Sequence, residues 1–193
     1  MKPSLHRLAL LFASLVAATS AGAQPAAPAT LVPAQSEITF QVKQSGVPID
    51  GRFRKFDAQL ALDPKAAQTG TVTITVDTGS ATVGFAESDA ELPRAPWFNS
   101  AKFPRAVFQS SVIKGLGGGR FQAAGKLDLK GNAHDLVVPV TIVQSGAQST
   151  ASGEFVVKRL EYKIGENEWT DVSLVANDVR VRFKLVFTGL GPL

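Results

Sequence analysis

The sequence predicts an all-β fold, an eight-stranded antiparallel barrel with a short helical segment lying across one mouth as a lid. Three observations lead there. Apolar residues recur at every second position, turn residues separate those runs at hairpin spacing, and the runs number about eight, which is the count that closes a small barrel. A closed sheet has no edge to protect, and its interior can be filled by side chains or left open for one small ligand. A two-sheet sandwich is the competing arrangement.

The first strand is expected over 36–45, where Ile38, Phe40 and Val42 share one face and Thr39, Gln41 and Lys43 the other. The second, over 51–62, places Phe56, Ala58, Leu60 and Leu62 together; the third, over 70–78, does the same with Val72, Ile74 and Val76. Strands follow over 104–114, 119–130, 134–145 and 149–159, the clearest being the Phe121, Ala123, Gly125, Leu127, Leu129 face. The last, over 171–188, alternates Val179, Val181, Phe183, Leu185 and Phe187 with Arg180, Arg182 and Lys184, so that cations occupy a solvated face. Asp63-Pro64, Gly115 to Gly119, Gly131-Asn132 and Ser145-Gly146 are the turn signals between them.

One long break interrupts this pattern, from Gly79 to Phe103. Within it Ser88-Asp89-Ala90-Glu91 matches a capping box and predicts the start of a helix that Pro93 and Pro96 keep short. Phe85, Trp97 and Phe98 would then lie across the barrel mouth.

Ahead of the strands, Lys2 and Arg7 precede an apolar run from Leu8 to Ala18 and an Ala21-Gly22-Ala23 cleavage pattern, which together read as a secretory signal peptide over 1–23. The run is shorter than the roughly 20 residues a membrane-spanning helix needs. Residues 24–33, rich in Ala and Pro, read as a flexible leader, and 34–190 as a single barrel domain. Cleavage would remove two cations and no acid, lowering the net charge from +4 to +2. That takes away the electrostatic footprint of a nucleic-acid binder, and export implies the periplasm.

The chain has no cysteine, which excludes disulfides, thiolate metal sites and Cys nucleophiles. Beyond residue 23 the one histidine is His134, beside a turn, where a solvated surface residue is the simpler reading than a catalytic base. Metal ligands, cofactor motifs and catalytic residues are therefore expected to be absent. The Gly115 to Arg120 stretch has the composition of a phosphate loop, but it joins two strands and lacks the Gly-Lys-Ser/Thr ending. Glu87, Asp89 and Glu91 could supply paired carboxylates, although their place in a capping box explains them more simply.

Aromatic content is the remaining signal. Of 12 phenylalanines all but Phe12 lie beyond residue 23, together with Trp97, Trp169 and Tyr162. They either fill a solid core, which composition alone favours, or line an apolar cavity. Candidate wall residues are Phe40, Val42, Phe56, Phe108, Phe121, Leu127, Phe155 and Phe183, with Phe85, Trp97 and Phe98 as lid. Arg52, Arg54, Lys158 and Arg159 are cations that could meet a polar or phosphate head group at the mouth.

A set of distributed motifs resembles one family. Ser36-Glu37-Ile38-Thr39-Phe40 is followed by Gly51-x-Phe53, then Trp97-Phe98-Asn99, Phe103-Pro104 and Phe108-x-Ser110. Gly125-x-Leu127-x-Leu129-x-Gly131, Val138-Pro139-Val140 and Arg159-Leu160-Glu161-Tyr162 complete the series. In this order, from about Thr30 to Gly189, they resemble the YceI-like family of exported, lipocalin-like barrel proteins. The chain departs from that pattern at Gln44, where many members carry histidine, and at Lys163, where the segment usually continues with glycine.

The resemblance implies a hydrophobic tunnel for polyisoprenoid or related amphiphilic chains in the periplasm, and it favours the cavity over the solid core. The expected function is a non-enzymatic binding protein that carries, stores or sequesters a long-chain isoprenoid or quinone-like lipid. A membrane redox or lipid-handling partner and a homodimer are compatible with that role. The alternatives are a hydrolase or isomerase acting on an amphiphile in the same tunnel, or a ligand-free structural barrel.

Overall fold

The computed structural model of the protein describes residues 27–193; the signal-peptide expectation over 1–23 and the first residues of the leader lie outside them. Eleven strands form one sheet: β1 Pro28–Leu31, β2 Glu37–Gln44, β3 Val47–Phe53, β4 Phe56–Ala61, β5 Thr71–Asp77, β6 Ala81–Thr82, β7 Arg105–Gly117, β8 Arg120–Leu129, β9 Asn132–Ser145, β10 Gln148–Lys158 and β11 Asp178–Thr188. Every pairing is antiparallel. Two strands, β1 and β6, are short additions. Only Arg54 and Lys55 separate β3 from β4, which makes them halves of one bent strand and leaves eight in the wall.

The bend has a local cause. Arg54 donates its N–H to the Ser80 carbonyl (3.1 Å) and Lys55 to Ser80 Oγ (3.0 Å), so the chain leaves the ladder for two residues. Before the bend the strand pairs with β2, and after it with β5. This splits the strand expected over 51–62 and starts its first half earlier, at Val47.

Closure comes from the segment read as a flexible leader. Pro28 and Ala29 pair with Ala61 and Leu60, while Thr30 and Leu31 pair with Thr188 and Phe187. A strand of four residues thus joins β4 to β11 and completes the ring. The leader expectation is corrected for residues 28–31.

The strand expected over 171–188 starts only at Asp178. Residues 171–177 are held instead by turn chemistry: the Asp171 carboxylate accepts from Ser173 N–H (2.8 Å) and Oγ (2.7 Å). Asp63 likewise accepts from Lys65 N–H (2.9 Å) and opens a 3-10 segment, Pro64–Thr69, between β4 and β5. The Gly-rich stretch is a hairpin loop between β7 and β8 in which Gly117, Gly118 and Gly119 all have positive φ, a conformation open to glycine at little steric expense.

The wall is incompletely sewn at one place. β9 and β10 pair from Ser145/Gln148 only as far as Thr141/Ser152, although both continue for several residues. Pro139 follows the last pair on β9 and has no N–H to donate. The 3-10 segment Arg159–Tyr162 fills the resulting slot. Tyr162 is buried there, edge-on to His134 at 4.8 Å, and the Glu161 carbonyl lies 3.1 Å from His134 Nε2. His134 is accordingly half-buried on the inward face of β9, which corrects its reading as a solvated residue.

Candidate functional site

An apolar cavity of about 370 Å³ runs through the barrel, within the usual range of ligand sites. Its floor is formed by residues such as Leu62, Ile113, Phe121, Ile142 and Phe187, the last only 1% exposed. Side-chain volume therefore leaves the interior open, in contrast to the solid core that composition alone favours.

Two glycines keep the wall flat. Phe40 and Gly51 are cross-strand partners on β2 and β3, and a β-carbon at Gly51 would overlap the Phe40 ring. Phe183 and Gly153 repeat the arrangement across β11 and β10. Neither glycine needs a left-handed backbone; what each provides is a shelf on which an aromatic ring lies down.

The opposite end from the floor carries the lid. A helix of six residues, α1 Ala86–Glu91, begins two residues before Ser88, so the expected capping box does not form. Phe85 is the N-cap residue and contributes no side-chain bond. Asp89 instead reaches back, accepting from Thr82 Oγ1 (2.5 Å) and from the Val83 N–H (2.7 Å). These two bonds, with Arg54 at 3.9 Å, hold the Asp89 carboxyl below the ordinary aspartate range.

A group whose folded pKa is depressed lends its stabilisation above the unfolded value, near 4, and loses it as pH falls through the lower folded value. Tethering of the lid by Asp89 is thus expected to be constant from neutral pH down to about 4 and to weaken below it. Tryptophan fluorescence across an acid titration checks this: wild type should show a lid transition below about pH 4 that Asp89→Asn lacks. Superimposable titrations would discard Asp89 as the tether.

A second covering segment, residues 159–177, is organised around Arg159, which is 2% exposed. Its Nε donates to the Ala176 carbonyl, Nη1 to Ile164 and Gly165, and Nη2 to Trp169 and Val175. All five guanidinium N–H groups are therefore occupied by backbone oxygens. Burial pulls this guanidinium below its usual pKa and pushes the Tyr162 hydroxyl up. Lys163 takes a left-handed φ of 55° at the end of the 3-10 turn.

Lys130 connects the two covers. Its Nζ, almost fully buried, donates to the carbonyls of Ala95 (2.8 Å) and Lys163 (2.7 Å) and to Glu166 Oε2 (2.8 Å). Gly165 and Glu166 both donate to the Pro96 carbonyl, and Trp97 lies 5.4 Å from Trp169 across the junction.

Ten of the eleven apolar residues expected at the site line this cavity: Phe40, Val42, Phe85, Trp97, Phe98, Phe108, Phe121, Leu127, Phe155 and Phe183. Phe56 does not; it sits at the strand end beside the bend, partly buried against the core and paired with Val76. Arg52 is exposed on the outer face of β3, Arg54 is engaged by Thr82 (3.0 Å), and Lys158 by Asp178 (2.9 Å). Arg159 reaches the lining with its donors already taken, so none of the four cations is presented to the lumen for a head group.

Sequence reasoning noted Trp169 among the aromatics but left it off the site, to which the 3-10 segment Asn167–Thr170 delivers it, and it missed the polar residues Gln44, Ser88 and Glu91. The last two carried a signal, but it was absorbed by the capping-box reading.

Known proteins agree with this architecture. Residues 30–187 match the YceI-like domain. BcnA of Burkholderia cenocepacia is 37% identical, with a TM-score of 0.78 over 81% of this chain and 98% of its own. A UPF0312 protein of Vibrio cholerae is 29% identical over 76% of this chain and 83% of its own length. A polyisoprenoid binding domain from Saccharophagus degradans shares the fold at 17% identity, with a TM-score of 0.64 over 86% of this chain and 99% of that one. With residues 30–187 matching that domain and the eight-stranded closed barrel in agreement, the chain belongs to the YceI-like family.

Proposed function

We propose that this protein is a non-enzymatic carrier or store for an isoprenoid amphiphile, acting in the periplasm after removal of residues 1–23. One observation carries the reading: among the described residues that line the cavity only Gln44, Ser88, Glu91 and Arg159 are charged or carry a polar amide or hydroxyl, and all four sit at the covered end. An apolar chain inserted towards Phe187 leaves water along its whole length, which contributes about 0.8 kcal/mol per buried CH₂. The polyisoprenoid binding attributed to the Saccharophagus degradans domain supports the same ligand class.

Native mass spectrometry of the mature protein, with solvent extraction of whatever copurifies, tests this directly. A stoichiometric long-chain isoprenoid is expected. Val72→Phe, which projects a ring into the lumen from β5, should reduce uptake of an added polyprenyl probe at least about tenfold while thermal unfolding stays cooperative. A clean apo mass that no polyprenol or quinone changes would refute the proposal.

A further inference from the structure

The covered end of the cavity also has a charge character, and that character restricts the head group. Glu91 and Arg159 are the only charged residues in the lining among the described residues. Five carbonyl oxygens surround the Arg159 guanidinium, so its N–H groups face backbone and not the lumen. Glu91 is held by Arg94 at 2.8 Å, and Arg94 itself is not in the lining. Beside them Lys130 is engaged by Glu166 (2.8 Å) and Lys158 by Asp178 (2.9 Å), and neither is in the lining.

What remains for a head group is the Gln44 amide, the Ser88 hydroxyl and the Glu91 carboxylate. Ser88 and Glu91 are three residues apart on α1 and so lie on one face of the helix. An amide and a hydroxyl can both donate and accept, and a carboxylate accepts. An uncharged head finds partners of either kind in this set. An ionised phosphate meets the Glu91 carboxylate and no lining cation with a free donor, so drawing it towards α1 trades its hydration for no compensating pair.

Resting on the carrier reading above, we infer that the cavity is selective for amphiphiles with an uncharged, hydrogen-bonding head, such as an alcohol or a quinone, and discriminates against the corresponding phosphates. The ligand enters chain first, with its head between Gln44 and α1.

The test compares a polyprenol with the polyprenyl monophosphate of equal chain length, titrated into the mature protein and followed by tryptophan fluorescence, both tryptophans being in the lining. The prenol is expected to bind at least about tenfold more tightly, a difference of roughly 1.4 kcal/mol. Glu91→Lys, or Ser88→Lys should the first variant not fold, is expected to shift the ratio at least several-fold towards the phosphate. Equal or tighter binding of the phosphate by the unaltered protein overturns the inference and leaves the carrier reading standing. Failure of both probes to bind sinks the two together.

Discussion

Arg159→Met is expected to lower stability by about 3–5 kcal/mol, since each buried carbonyl left without a donor costs about 1–3 kcal/mol and only some of the five can regain one from water. Methionine fills much of the volume but donates nothing, so the carbonyls of Ile164, Gly165, Trp169, Val175 and Ala176 lose their common partner at once. For a domain of this size about 1 kcal/mol corresponds to roughly 2–4 °C, which puts the melting temperature at least about 6 °C lower. Arg159→Lys keeps the charge but offers three donors on a single nitrogen and recovers only part of the loss. Because the cage gathers residues 159–177, hydrogen exchange should rise there before it rises in β7 or β8. A methionine variant that melts within about 1 kcal/mol of wild type would show that the cage is dispensable.

Gly51→Ala is the second large effect, at about 1–3 kcal/mol, the usual range for adding a methyl to a filled site. The methyl would occupy the space of the Phe40 ring, and the ring has one way to move, into the lumen. The substitution should therefore weaken uptake of a polyprenyl probe as well as stability. Phe40→Leu removes the conflict, and in that background Gly51→Ala should cost at least about 1 kcal/mol less. Urea denaturation of the four members of this double-mutant cycle gives the coupling directly. Additive effects would mean that the ring does not rest on Gly51.

Strand identity was legible because a half-buried sheet imposes a period of two on its sequence, and β2, β4, β5, β8 and β11 all display it. Seven wall residues were legible for the same reason, since inward alternation is also what points a side chain at the cavity, whereas the three lid residues were read from the one long break in that pattern. Phe56 shows where the rule ends: it keeps the inward parity but lies at a strand end, and parity says nothing of height along the barrel axis. The head-group cations failed differently. Arg54, Lys158 and Arg159 were chosen as charges near a mouth, yet each has its partner in the fold, Thr82, Asp178 and a ring of carbonyls respectively. The partners of Arg54 and Lys158 lie 28 and 20 residues away, and the carbonyls around Arg159 come from an irregular loop, so no periodic pattern announces them. The same holds for β1, whose pairing with β4 and β11 is long-range and overrides an Ala/Pro composition that looks unstructured.

The unpaired stretch between β9 and β10 gives the barrel a compliant side. Elsewhere a change of girth would have to stretch a ladder of backbone hydrogen bonds, and a fully laced cylinder has one bore. Beyond Thr141 and Ser152 the two strands can part without breaking any such bond, with Tyr162 sliding as a wedge against His134. If the bore adjusts, this is the side on which it does so at the expense of side-chain contacts alone.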